Sequence, residues 1–263
     1  MYKKRIPYFR PKSIPVEEVK YELVAVDCSC EIWMILFRMQ FNPIFIEFFE
    51  VYFLMNSSII EIERFVIKYL INEVRKIKEK IERMSKCLLV FESNGYNQYK
   101  KKILKKRQKE RNDAYKDFII ALKISGKDVS KRYLEYLHTD ANYFQQQVSK
   151  CFSSTISSGD SDLFLSSFKV VYSHDMDLLL FGCNVLITNI SGDDISYKSI
   201  GDILRQWKVP DRAALVDICI LLGTDYNEGH KDLTFSQCRK MNTELSADQK
   251  EVHDLFLRQA KAL

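Results

Sequence analysis

The chain has 263 residues, 46% of them apolar and 29% charged; this suits one domain with a sizeable core, with or without an extension, and excludes a bundle of membrane helices. Its formal net charge is +5, yet residues 97–116 alone carry nine basic and two acidic side chains, so a near-neutral body bears one strongly basic segment. Eight glycines, none before Gly95, exclude the closely spaced glycine turns of a dinucleotide site or a phosphate-cradling P-loop. The seven cysteines include no Cys-x-x-Cys pair, and the four histidines have no zinc-like spacing. The expectation is buried, reduced thiols in an intracellular protein that is not secreted. The basic N-terminus has no apolar segment behind it to make a secretory signal.

Residues 1–22 hold three of the five prolines and read as an N-terminal arm. Leu23–Val26 is a short apolar run that ends in Asp27. Helical patterns follow from about 31 to 84, with Ile62, Phe65, Val66, Tyr69 and Leu70 at helical spacing. Residues 32–55 are very apolar, but Arg38, Pro43, Glu47 and Glu50 interrupt them, and a membrane span needs about 20 nearly uncharged residues. Residues 87–91 form a second apolar run, ending in Glu92. After a turn at 93–96 comes the basic segment, helical but polar nearly all round. Residues 117–150 read as amphipathic helix and 153–161 as a loop. Residues 168–172 make a third strand, followed by Ser173, His174 and Asp175; residues 184–190 make a fourth. Residues 211–222 form a helix before Asp225, and the rest is polar and helical. This order predicts an α/β fold with a mostly parallel central sheet flanked by helices.

Three apolar strands thus end in an acid: Asp27, Glu92 and Asp175. In a parallel sheet the carboxyl ends of the strands share one edge, where ligands bind. Asp175 and Asp177 flank Met176, Asp160 and Asp162 flank Ser161, and such i,i+2 pairs aim two carboxylates into one pocket. Asp225 closes the set. Taken singly, these acids read equally well as helix caps or loop residues. Together they crowd like charges, which raises their pKa values unless cations intervene. An all-carboxylate shell suits Mg²⁺, or Mn²⁺ in its place. Two such ions about 4 Å apart are the usual apparatus for in-line phosphodiester hydrolysis.

Lys100, Arg107 and Arg111 are spaced seven and four apart and share a helix face, with Lys101, Lys105 and Lys106 beside them. A basic run alone is commonly a solvated face. Next to a metal-phosphate site it points to the nucleic-acid backbone.

These residues resemble the flap endonuclease/XPG family of structure-specific nucleases. The likeness spans roughly residues 23–228 and is most specific in Asp217-Ile-Cys-Ile-Leu-Leu-Gly-Thr-Asp225-Tyr226. Ser173-His-Asp175-Met-Asp177 is similar to the family's paired aspartates, Val24-Ala-Val-Asp27 to its first catalytic strand, and Leu89-Val-Phe-Glu92 to the strand of its second acid. Gly159-Asp160-Ser-Asp162 stands where the family has Glu-x-Glu, and residues 99–107 resemble the basic helix at the foot of its helical arch. The resemblance implies a PIN-like 5′-nuclease fold with a core over 23–230, an arch at about 93–152, and a C-terminal segment, 231–263, with a degenerate helix–turn–helix. It implies that Asp27, Glu92, Asp160 and Asp162 hold a first ion and that Asp175, Asp177 and Asp225 serve a second. It further implies that Lys100 and Arg107 contact the scissile phosphate and that the substrate is flap or branched DNA in replication, repair or recombination. The accompanying expectations are a monomer, a replication-factor partner, and a place in the nucleus or at a site of viral genome replication.

Three departures accompany the likeness. The family's Met-Gly-Ile start is replaced by Met-Tyr-Lys-Lys, the paired glycines after Asp225 are absent, and Glu92 stands for the usual Asp. Asp175–Cys183, Ile190-Ser191 and Asp202-Ile-Leu204 also resemble the herpesvirus virion host-shutoff proteins, which cleave mRNA. An endoribonuclease and a non-cutting nucleic-acid-binding module therefore stand as alternatives.

Overall fold

The computed structural model describes residues 9–18, 21–55, 58–92, 100–124, 128–157, 160–224, 226–230, 232–240 and 245–261. Asp225 lies outside the described residues, as does the side chain of Lys101. The expected α/β architecture is present. Seven strands form one sheet: β1 (Lys12–Pro15), β2 (Leu23–Asp27), β3 (Lys86–Phe91), β4 (Thr155–Ile156), β5 (Val170–Tyr172), β6 (Val185–Ser191) and β7 (Asp194–Ser199), in the order β1-β7-β6-β5-β2-β3-β4. The five strands from β6 to β4 run parallel; β7 is antiparallel to β6, and β1 to β7. Residues 12–15, read as part of an arm, are therefore an edge strand, and Phe9 before them is buried.

From β2 the chain winds outward through β3 to β4, then returns to β5 on the other side of β2 and continues to β6. β2 is thus the point where strand order reverses, and in open α/β sheets ligands bind beyond the carboxyl ends of the strands at such a point, here β2 and β5.

Helices cover both faces: α1 (Cys28–Met39), α2 (Pro43–Leu54), α3 (Ile59–Glu82), α4 (Lys101–Ile124), α5 (Val129–Thr139), α6 (Ala141–Ser149), α7 (Ser161–Leu165), α8 (Asp177–Phe181), α9 (Ile200–Trp207), α10 (Arg212–Leu222), α11 (Phe235–Cys238) and α12 (Ala247–Lys261). Strand alternation sorts the core. Val24, Val26, Leu89, Phe91, Val170 and Tyr172 pack with α1, α3, α5 and α6; Ala25, Val90, Val171 and Leu186 pack with α8, α10 and α12. α3 shows the local logic. The Ser58 hydroxyl caps it by accepting from the Ile60 amide, and Ile62, Val66, Leu70 and Val74 recur every fourth residue and are buried. Each such side chain stabilises by about 1.5–3 kcal/mol, so Leu70→Ala would cost about 2–5 kcal/mol.

Among the described residues no single helix is long and apolar enough to cross a membrane; α1 and α2 reach that length only as a pair bent by 75°. α4 divides along its length. Its C-terminal half buries Phe118 against α5, while Lys105, Lys106, Arg107, Gln108 and Lys109 stand exposed.

Candidate active site

Each strand-end acid is placed by its element. Asp27 closes β2 and caps α1, its Oδ1 accepting from the Cys30 amide at 3.0 Å. Ser173 follows β5 and is fully buried; its hydroxyl donates to Asp27 Oδ2 at 2.9 Å and accepts from the Asp175 amide at 3.0 Å. Asp175 Oδ1 in turn accepts from the Asp177 amide at 3.0 Å. On the other side of β2, the Glu92 amide donates to the Ser29 hydroxyl at 3.0 Å, and Gln145 of α6 donates to the Glu92 carbonyl at 2.8 Å. Asp160 caps α7 by accepting from the Asp162 amide at 3.0 Å. Capping and convergence therefore coexist, because the caps hold these carboxylates at one edge of the sheet.

The charges interact. Burial first, then the carboxylate of Asp162, pushes Asp27 up to about 7, against the Cys30 and Ser173 hydrogen bonds; Glu92 adds to the rise. Glu92 is also pushed up to about 7, by burial first; the Lys100 and Arg107 charges lower it, while Asp162 and Asp160 raise it. Cys30 lies under the influence of both Asp27 and Asp175, and Tyr226 under that of Asp162, Asp160 and Asp177. Asp27, Glu92 and Asp162 thus feel one another's charge, Asp160 reaches Glu92, and Asp175 and Asp177 are tied to Asp27 through the Ser173 hydrogen bonds.

Lys100, expected at the scissile phosphate, is only 7% exposed and engages the carboxylates themselves. Its ammonium donates to Asp160 Oδ1 at 3.0 Å and Asp162 Oδ2 at 2.6 Å, and it lies 4.8 Å from the centre of the Tyr226 ring. Burial pushes Lys100 down, but Asp162 and Asp160 outweigh this and hold it above the ordinary lysine range.

The shared face of Lys100, Arg107 and Arg111 divides accordingly. Lys100 enters the carboxylate cluster, the charge of Arg107 reaches Glu92, and Arg111 pairs with Asp140 at 3.0 Å where α5 meets α6. Lys106 makes a loose exposed ion pair with Glu110 at 3.8 Å, and Lys105 is exposed.

The donor set offered by these acids is oxygen only, and the Asp162 carboxylate raises both Asp27 and Glu92. That chemistry fits a hard divalent cation. Among the described residues no three carboxylate, histidine or cysteine side chains are gathered closely enough to enclose an ion. Ser173, Ser29, Gln145 and Tyr226 were not legible as site residues; their contacts join segments far apart in the chain, and only Ser173 and Tyr226 sat within recognisable motifs.

Residues 165–225 match the family model of the XPG I-region. The chain is 30% identical over 104 residues to Flap endonuclease 1 of Methanobrevibacter smithii, covering 33% of this chain and 32% of that one. The match therefore spans about a third of that curated relative's length. Among solved structures, the chain is similar to the catalytic core of Rad2 in complex with DNA substrate, with a TM-score of 0.53 at 14% identity over 95% of this chain and 77% of that one. A second complex of the same core gives a TM-score of 0.53 at 16% identity, with 95% and 77% covered. At such identities the structural likeness establishes the fold.

Proposed function

We propose that this chain, which carries an XPG I-region and resembles the XPG-type flap endonucleases, is a metal-dependent, structure-specific 5′ nuclease that hydrolyses phosphodiester bonds in flap or branched DNA. One observation carries the proposal. The acids at the ends of β2, β3 and β5 and before α7 share an edge of the sheet with Lys100, at the foot of a basic helix. The DNA substrate held by the Rad2 core supports this choice of nucleic acid.

Asp27, Glu92, Asp160 and Asp162 would hold one Mg²⁺ or Mn²⁺, and Asp175, Asp177 and Asp225 a second. Such ions supply a bound water of lowered pKa and offset charge on the leaving oxygen. The chain's own residues do the rest. Lys105, Lys106 and Arg107, exposed along α4, hold backbone phosphates without reading bases. Lys100 and Arg107, whose charges reach Glu92, orient the scissile phosphate toward the carboxylates. Ser173 keeps Asp27 and Asp175 in register across β2 and β5. We place the protein inside the cell, acting as a monomer with a replication factor at hand; its seven cysteines are all free, which supports a reducing compartment.

The test offers flap DNA, linear duplex and single-stranded RNA to the purified protein with Mg²⁺, beside Asp175→Asn. Cutting of flap DNA that needs the metal and is lost in the variant is the expected result. Cutting of RNA alone moves the assignment to an endoribonuclease. Binding without cutting of any substrate makes the protein a binding module.

A further inference from the structure

Tyr226 stands in the loop after α10, next to Asp225, and is 5% exposed. The loop is tightly made. Gly223 has φ +99°, and a Cβ on Gly229 would lie 2.0 Å from the Leu222 carbonyl carbon, so position 229 admits only glycine without a backbone shift. The Tyr226 amide donates to the Thr224 hydroxyl at 3.1 Å, that hydroxyl donates to Asn227 Oδ1 at 2.8 Å, and Asn227 Nδ2 donates to the Ile220 carbonyl at 2.8 Å. The Tyr226 ring meets Phe181 of α8 and Phe256 of α12 edge-on, at 5.1 and 5.5 Å, and those two rings stack at 4.1 Å. The ring is therefore fixed by two helices, α8 and α12.

What this socket presents is one hydroxyl, 2.9 Å from Asp160 Oδ2 and 3.0 Å from Asp162 Oδ2. A phenol has one proton to donate. It bridges two carboxylates that would otherwise repel, while the Lys100 ammonium binds the same pair from another side. Packing alone would be served by phenylalanine; the hydroxyl is needed only if the two carboxylates must keep one orientation. A five-residue helix such as α7 gives them little rigidity of its own.

We infer that Tyr226 is a positioning residue: from the socket closed by Phe181 and Phe256, its hydroxyl sets the orientation of Asp160 and Asp162, so the C-terminal helix α12 props the carboxylate site. The inference rests on the proposed nuclease function for its catalytic consequence, but its geometric part stands apart from it.

Tyr226→Phe keeps the ring and removes the hydroxyl. Partners that orient metal-binding groups are typically worth 10–100-fold. We expect kcat on flap DNA to fall about 10–100-fold with KM unchanged, and the Kd for Mn²⁺, read by electron paramagnetic resonance, to rise by a similar factor. The melting temperature should shift by no more than about 4 °C. Crystals of the variant should show both carboxylates turned from their present rotamers. Phe256→Leu, which touches no carboxylate, should give a smaller loss of the same kind. Carboxylates unmoved in Tyr226→Phe crystals, with Mn²⁺ affinity unchanged wherever the wild type binds it, overturn the inference. A wild type that cuts no nucleic acid overturns the nuclease function instead, and the crystals still decide the role of Tyr226.

Discussion

Asp27 and Glu92 are pushed up by burial and by the Asp162 charge, whereas Asp160 and Asp162 are met directly by a cation and a phenol. The first pair sits at the ends of β2 and β3, where neutral groups contact Asp27 and cations reach only Glu92. The second receives an ammonium and a phenol directly. Two solutions to crowded carboxylates therefore lie side by side: one pair has its pKa values pushed up, and the other has an internal cation. The site therefore holds two acids whose charged forms burial disfavours in one half and a ready counter-charge in the other.

The largest expected effect comes from removing charge in the strained half. Asp27→Asn should abolish metal-dependent cutting, by a factor of about 10³ or more, judged from the several kcal/mol that such charge stabilisation supplies. It should leave metal-free thermal stability equal or higher, because it deletes a buried charge; rate assays and melting curves on the same preparation check both.

The opposite result is expected in the satisfied half. Lys100→Met leaves Asp160 and Asp162 without their cation and should cost about 3–5 kcal/mol in urea unfolding in EDTA, part of it regained with Mg²⁺.

A pH series sharpens the contrast. Asp27 and Glu92 titrate near 7 when folded and near about 4 when unfolded. Between about pH 4 and pH 7 the folded state holds more protons, so metal-free stability should fall as pH rises through that window and level off above it. Asp27→Asn should flatten the fall. A rise in stability across the same window would show that the two acids are not strained.

The smallest effect on stability belongs to the exposed flank of α4. Replacing Lys105, Lys106 and Arg107 with Gln should change the melting temperature little, yet reduce the salt slope of duplex binding by about 2–3.

The strands leading to Asp27, Glu92 and Asp175 were legible because a buried parallel strand is a short apolar run and an acid stands at or within three residues of each end. β1, β4 and β7 were not. β1 is four residues ending in proline, β4 is two residues, and β7 is mostly polar, so only their neighbours define them. Helix spacing grouped Lys100 with Arg107 and Arg111, but spacing along one helix says nothing of what faces it. Asp160 and Asp162 lie 60 and 62 positions away from Lys100 and claim it, while Asp140 claims Arg111. The Tyr226 hydroxyl was invisible for the same reason: its partners are 66 and 64 positions earlier.

The placement of β2 between β3 and β5 also governs how the molecule is made. Asp27 waits for Ser173, 146 positions later, which at about 5–20 residues per second is roughly 7–30 s of ribosomal synthesis. Through that interval one edge of β2 has no partner. Contacts so distant along the chain are closed late, after the entropy of the intervening loop has been lost. The carboxylate site therefore cannot assemble until β5 and Ser173 have been made, long after β2 itself.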